Sequence, residues 1–420
     1  MNVRKLALEA INRILNKGGY SNIVINEFFN KYELTNEEKA LFTRLVLGTI
    51  EYKLTLEYYL EPFLKKKQKP WIHNLLLMSA YQIVYLNIPE HAIVNESVTI
   101  ANLKDRSIGS FVNAVLRNFL RTEIRGFDNL DDLNKLSIKY SYPSWLVAYL
   151  LKDYKYEDVQ KIFEENSLIR STSIRVNTLK SSLDEVMSVF DGEGIKYKKN
   201  NLVTNGLMID RNIINHSLFS SGKIIIQDIA SQKVSEVLNP KKNSIIIDLC
   251  AAPGGKSSHI ASIIENQGTI YACDIHDHKL KLMERNFKKL GVNCVKTQLV
   301  DARLVKDFVK QESFDYVLAD LPCSGLGVLG HKVDLKYHMT LESIDEIIQL
   351  QEEILSSCSN LVKKGGYLVV STCTINKKEN EEQVRNFLKN NKNYEIEEEM
   401  TILPYMYHTD GFYICKLRRN

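Results

Sequence analysis

The chain lacks several features that mark whole classes of protein. No cysteine occurs before Cys250. The seven present (Cys250, Cys273, Cys294, Cys323, Cys358, Cys373 and Cys415) are odd in number, and no two have C-x-x-C spacing. That pattern argues against a disulfide framework and against a zinc site. His259, His276, His278 and His331 fit no standard ligand spacing either, so no metal is expected and these histidines are read as solvated or capping residues. No apolar run approaches the ~20 residues that a membrane span needs. The opening M-N-V-R-K-L-A-L-E-A holds no apolar signal core, so a reducing, cytoplasmic setting is expected. Neither sign of charge dominates: 55 Lys and Arg stand against 51 Asp and Glu, a net +4. This mild basicity permits a nucleic-acid partner without requiring one. No internal repeat is evident.

What is present reads as several domains, since 420 residues suit roughly two to four. The first ~125 residues are helical in pattern. Ala7, Ile11, Ile14 and Leu15 recur at helical spacing, and Thr35-Asn-Glu-Glu38 is a capping box ahead of an apolar run. Pro70 opens a helix from Trp71 to Leu86, and Ser110 to Arg121 is amphipathic and basic. The run Lys65-Lys-Lys-Gln-Lys69 reads as a solvated loop. Pro143 to Leu151 and Tyr156 to Asn166 form a helical connection. From Ser171 the period changes: Thr172-Ser-Ile-Arg-Val alternates like a strand, Ser182 to Phe190 like a helix, and Ile195–Tyr197 and Lys223–Gln227 like strands. The C-terminal part alternates strands, at 244–250, 269–275, 294–300, 314–320 and 366–372, with helical patterns. That alternation predicts a mostly parallel sheet with a ligand at the strands' carboxyl ends.

Chemistry concentrates at those ends. The first strand runs into Ala251-Ala-Pro-Gly-Gly-Lys256 just before a helix. Small residues there let a ligand approach the backbone closely. Lys256 is either a ligand contact or a solvated cation at the helix start. Successive strands finish in Asp248, Asp274, Asp301 and Asp320, a rim of carboxylates suited to a nucleoside. Asp274 also suits the capping of the next helix.

Two thiols share that rim. Cys323 lies in Asp320-Leu-Pro-Cys-Ser-Gly325, and Cys373 in Ser371-Thr-Cys-Thr374 at the end of the fifth strand. Either alone is readily a small core residue. Together, beside Asp320, they match the needs of methylation at cytosine C5. That carbon becomes nucleophilic only after a thiolate adds at C6. An acid near N3 then stabilises the charge that builds there, and a base must remove the C5 proton to free the enzyme. On this reading either thiol could attack.

The segments Asp248 to Lys256, Asp320 to Gly325 and Ser371 to Thr374 resemble the RNA 5-methylcytosine methyltransferases of the NOL1/NOP2/Sun family. Gln82-Ile-Val-Tyr-Leu and Phe111-Val-Asn-Ala-Val-Leu-Arg resemble a NusB-type RNA-binding domain. Arg175-Val-Asn177, Gln227-Asp-Ile-Ala-Ser231 and Asp410-Gly-Phe also fit, so the resemblance covers nearly the whole chain. It implies a multidomain protein: an all-α NusB-like domain at 1–130, a helical connector at 131–166, a small α+β RNA-binding module at 167–235, and a C-terminal α/β Rossmann-like class I methyltransferase domain at 236–420.

By the same resemblance the cofactor is S-adenosyl-L-methionine, held by Cys250, Ala251, Ala252, Pro253, Gly254, Gly255, Lys256, Asp274, Asp301 and Asp320. Cys373 becomes the nucleophile, Cys323 the residue of product release, Asp320 the acid, and 16S rRNA the substrate. The chain departs from the family pattern at Leu329-Gly-His-Lys-Val-Asp334, where one basic residue and a proline are missing, which bears on local RNA contacts. The same chemistry on tRNA or on another rRNA site is an alternative. A non-catalytic RNA-binding assembly factor is a second, and the intact Asp320, Cys323 and Cys373 set argues against it.

Overall fold

The computed structural model describes residues 2–168 and 171–420. The chain forms two compact units, one of residues 1–167 with 331–339 and one of 168–330 with 340–420. No helix among the described residues is long and apolar enough to cross a membrane.

The first unit is helical, with helices at Val3–Lys17, Ser21–Lys31, Asn36–Glu51, Lys53–Leu60, Pro70–Tyr85, Glu90–Asn102 and Arg106–Arg121, then Asp132–Lys139, Ser144–Leu150 and Tyr156–Asn166. Their ends follow the local signals. Thr35 and Glu38 form the reciprocal capping box, with bonds of 3.2 and 2.9 Å. Pro70 occupies the first turn of its helix, where its missing N–H costs nothing. Ala7, Ala10, Ile11 and Ile14 form one buried stripe packed with Phe42, Leu45, Leu75 and Leu76. Each large apolar side chain buried this way contributes about 1.5–3 kcal/mol. A Cβ on Gly48 would fall 2.0 Å from the Tyr81 ring, so glycine sets how closely helices 36–51 and 70–85 approach. Lys65, Lys66, Lys67 and Lys69 lie exposed in a loop.

Residues 331–339 also belong to this helical unit. Asp334 accepts hydrogen bonds from the Ser21 N–H at 2.8 Å and the Ser21 hydroxyl at 2.7 Å. Lys336 Nζ donates to the Glu51 carbonyl at 2.9 Å, and Val333 joins the core. The stretch that departs from the family pattern therefore leads into a strap whose Asp334 and Lys336 are engaged inside the helical unit, while Lys332 is exposed.

The second unit begins with a four-stranded antiparallel sheet of β1 (Thr172–Val176), β2 (Tyr197–Lys199), β3 (Gly206–Ile209) and β4 (Ile224–Ile226), in the order β2-β3-β1-β4. Helix Leu183–Gly192 buries Val186 and Phe190 against it. The sequence reading missed β3, whose four residues are too few to show a period of two, and put β2 two residues early.

The rest is a seven-stranded sheet of β5 (Ser244–Asp248), β6 (Gly268–Asp274), β7 (Val295–Leu299), β8 (Phe314–Asp320), β9 (Val362–Thr372), β10 (Tyr394–Ile402) and β11 (Phe412–Arg419). The order is β10-β11-β9-β8-β5-β6-β7. Strands β5 to β9 pair in parallel, and β11 runs antiparallel to both its neighbours. Alternation along the strands feeds two cores: Ile246, Leu318 and Val369 enter one, and Ile247, Val317 and Leu368 the other. The last two strands were not read from the sequence. In β10 a run of exposed glutamates hides the alternation, as suits an edge strand. Because β8 returns to pair with β5 on the side away from β6, the strand order reverses between β5 and β8. A crevice at their carboxyl ends is where such sheets bind ligands.

Candidate active site

Strand ends and the loops that follow them build the site. Ala251 to Gly254 turn sharply after β5, with the Ala251 N–H donating to the Cys273 carbonyl at 2.8 Å and the Gly254 N–H to the Ala251 carbonyl at 2.7 Å. Gly254 has φ +94°, and a Cβ there would press on the Phe287 ring at 3.0 Å. Helix Gly255–Ile263 starts at this glycine with no side chain capping it, so its first N–H groups face the loop, an arrangement that favours a polar ligand. Asp248, at the end of β5, accepts from the Ser257 hydroxyl at 2.6 Å. Burial pushes its carboxyl up to about 7, and the nearby Asp320 adds to the rise.

The other carboxylates differ in what they already hold. Asp274 accepts from the His276 N–H at 2.9 Å and lies 3.5 Å from Lys279 Nζ, both contacts falling on Oδ1. It braces the turn into helix Asp277–Leu290 but does not cap it: His276 is the N-cap, and no side chain among the described residues bonds to the first-turn N–H groups. Asp301 lies two residues past β7 and is gripped by Arg303, which holds its carboxyl below the ordinary range. Cys250 is half-buried, and its desolvation, with the charges of Asp248, Asp320 and Asp274, raises its thiol well above the usual value. It is therefore a neutral wall of the site.

Asp320 is the centre of the arrangement. Its Oδ2 takes the Lys256 ammonium at 2.7 Å, and its Oδ1 takes the Ser371 hydroxyl at 2.7 Å. Lys256 is thus not a solvated cation. Burial pulls its pKa down, but Asp320, and Cys373 after it, outweigh burial and leave it raised. Two thiols lie beside this pair. Cys323 Sγ is 3.3 Å from Cys373 Sγ, because β8 and β9 are adjacent and parallel with Asp320 registered against Ser371. Cys323 has its pKa raised well above the ordinary value, first by its hydrogen bond with Cys373, then by burial and by the charges of Cys373 and Glu379.

Some of the local structure was not anticipated. His259, read as solvated or capping, is only 4% exposed; burial, and then Arg175, pulls its pKa well below the usual value, so it is a neutral core residue. Arg175 in β1 is fully buried and joins the small sheet to the glycine-loop helix, donating to Gln227 Oε1 at 2.7 Å and to the Ser258 hydroxyl at 2.9 Å. Glu379, which the sequence reading passed over, gathers the residues that follow both cysteines. Its only sequence signal is a glutamate six positions after Cys373, too weak to read alone. Gly327 and Gly411 let two loops touch behind Cys373: the Gly327 N–H donates to the Cys373 carbonyl at 3.1 Å and the Gly411 N–H to the Gly327 carbonyl at 2.8 Å.

This arrangement has relatives. A family model described as "16S rRNA methyltransferase RsmB/F" matches residues 235–418, one described as "NusB family" matches 1–121, and a "Methyltr_RsmF/B-like, ferredoxin-like domain" matches 142–214. The "Probable ribosomal RNA small subunit methyltransferase B" of Bacillus subtilis is 36% identical, over 99% of this chain and 98% of its own. The "Ribosomal RNA small subunit methyltransferase B" of Proteus mirabilis is 31% identical, over 100% and 99%. Among solved structures, that of PH0851 superposes with a TM-score of 0.83 at 26% identity, over 100% of this chain and 99% of its own. A methyltransferase homologue from Pyrococcus horikoshii gives 0.62 at 25%, over 69% of this chain and 100% of its own. With three domains matched in order, and a relative 36% identical along essentially its whole length, the chain belongs to the RsmB/F family of 16S rRNA methyltransferases.

Proposed function

We propose that this protein transfers a methyl group from S-adenosyl-L-methionine to C5 of a cytosine in 16S rRNA, through a covalent bond between Cys373 and C6 of the ring. The observation that carries the reading is the 3.3 Å approach of Cys323 Sγ and Cys373 Sγ beside the Lys256–Asp320 pair. The uncapped glycine turn, the Asp274 carboxylate with Oδ2 turned to no donor among the described residues, and the reversal of strand order between β5 and β8 suit a nucleoside cofactor. Residues 250–256, Asp274, Asp301 and Asp320 would hold it, and when bound it supplies the electrophilic methyl group.

The chain's own residues divide the remaining work. The target base must leave its stack to reach two half-buried thiols at the strand ends. The family resemblance makes Cys373 the attacker, and the Lys256 ammonium, which interacts with Cys373, favours a thiolate there. Cys373 Sγ bonds to C6, and the electron pair of the C5–C6 double bond passes toward N3, which takes up a proton relayed through Asp320 from the Lys256 ammonium. C5 then takes the methyl group. A base removes the proton left on C5, the double bond re-forms, and the C6–Sγ bond breaks to return the Cys373 thiolate. Cys323, touching Cys373, is assigned to this release.

Labelled cofactor and unmodified 16S rRNA test the reading. Wild type incorporates label at a cytosine, which bisulfite sequencing locates, and Cys373→Ala incorporates none. Cys323→Ala accumulates a protein–RNA adduct visible on a denaturing gel. Methyl transfer that survives Cys373→Ala removes the proposed nucleophile, and turnover by Cys323→Ala without adduct removes the release role.

A further inference from the structure

The two reactive thiols sit on separate loops, one after β8 and one after β9, and sulfur atoms 3.3 Å apart do not hold that spacing unaided. One buried carboxylate reaches both loops. Glu379 Oε2 accepts from the Ser324 N–H at 2.7 Å, and Oε1 accepts from the Ser324 hydroxyl at 2.5 Å. Ser324 is the residue after Cys323. On the other side, the Thr374 hydroxyl lies 2.9 Å from the Ser324 hydroxyl and 3.4 Å from Glu379 Oε1, and Thr374 is the residue after Cys373. Asn376 Nδ2 donates to Oε1 at 2.8 Å, and Gln351 Nε2 to Oε2 at 3.3 Å while also donating to the Pro322 carbonyl at 2.9 Å. Glu379, Ser324, Thr374, Asn376 and Gln351 are all buried.

The number of donors is itself informative. Burial raises the Glu379 pKa, while the Ser324, Asn376 and Gln351 hydrogen bonds oppose the rise. A buried carboxylate that gathers four side chains and a backbone N–H, from three separate segments, is costly to maintain unless its bonds are satisfied. A core stabilised by apolar packing alone would not need it. Its position explains the arrangement: removing it releases Ser324 and Thr374 together, and with them the backbone that aims both sulfurs.

We propose that Glu379 is the positioning residue for the cysteine pair, a single acceptor that locks the loop of Cys323 to the loop of Cys373 and so sets the distance between the thiols. It acts through Ser324 and Thr374. The proposal deepens the reading of the site as a two-thiol methyltransferase, so one arm of its test is independent of that activity.

That arm uses phenylarsine oxide, whose trivalent arsenic bridges two neighbouring thiols, taking two sulfurs and releasing water. Capture is counted as the part that Cys373→Ala abolishes, which excludes the other cysteines. Full-length wild type is captured; Glu379→Ala loses most of that capture. Glu379→Gln, which keeps an acceptor for the Ser324 N–H but sets an amide against Asn376, falls between the two. Ser324→Ala, which removes one hydroxyl and leaves the carboxylate, guards against a failure of Glu379→Ala to fold and lowers capture in the same direction. The second arm is single-turnover methylation. Glu379→Ala loses about 100-fold in rate, the scale of a displacement of about 1 Å at a reacting group, with KM for RNA unchanged and partial rescue in Glu379→Gln. Wild-type capture by Glu379→Ala and Ser324→Ala alike overturns the proposal even if methylation is confirmed. Loss of capture in a protein that does not methylate rRNA supports the positioning role and removes the proposed function instead.

Discussion

Gly327 gives the sharpest quantitative expectation. A Cβ placed on it would lie 2.0 Å from the Gly411 carbonyl oxygen and 2.8 Å from the Cys373 carbonyl oxygen. Ordinary contact distances exceed the first by more than 1 Å, so Gly327→Ala must drive two loops apart. Both partners are backbone atoms, which cannot rotate away as the tip of a side chain can. The separation breaks the Gly327 N–H bond to Cys373 and the Gly411 N–H bond to Gly327. Each lost bond costs about 0.5–1.5 kcal/mol and overpacking adds about 1–3 kcal/mol. The sum is roughly 2–6 kcal/mol. The same movement carries Cys373, whose carbonyl is one of the two atoms displaced, and a shift of about 1 Å at the proposed nucleophile costs about 100-fold in rate. Urea denaturation read by circular dichroism measures the first effect, and single-turnover methylation or arsenical capture the second. A Gly327→Ala protein whose stability lies within about 0.5 kcal/mol of wild type, the range of an inconsequential surface substitution, and whose thiols react normally would refute the reasoning.

The buried carboxylates make further expectations. Asp248 is raised from the ordinary 3.8 to about 7, chiefly by burial, so the folded chain holds a proton that the unfolded chain has released. Its effect on stability therefore falls as pH rises from about 4 to about 7. Asp248→Asn, which keeps an acceptor for Ser257, removes that part of the slope. Denaturation midpoints measured across this range with equal slopes for both proteins contradict the assignment. Asp334→Ala leaves two Ser21 donors without their acceptor and costs about 1–3 kcal/mol of stability, most of which Asp334→Asn recovers. An unchanged unfolding midpoint would mean that residues 331–339 are not the strap described.

The strap and the thiol pair show where sequence reasoning stops. The helices and parallel strands were legible because their apolar positions repeat at 3.6 and 2.0 residues, and caps such as Thr35–Glu38 and Pro70 mark their ends. Strands β3 and β10 were not, one too short and the other a charged edge. His259 looked like any polar residue near a helix start, yet its surroundings make it core. His331 to Met339 looked like part of the catalytic half and belongs to the helical unit.

By itself the sequence determined the chemistry on offer: a glycine turn between strand and helix, acids at successive strand ends, and cysteines in the Asp320 and Ser371 motifs. These depend only on residue type and local spacing. Tertiary structure alone decided that β8 lies against β9 in the register that brings two sulfurs separated by 50 positions to 3.3 Å. It also decided that Lys256 neutralises Asp320, and that Glu379 ties the two loops together. Pairing between distant strands is set by the packing of the whole sheet, and no local pattern encodes which strand end a given loop will meet.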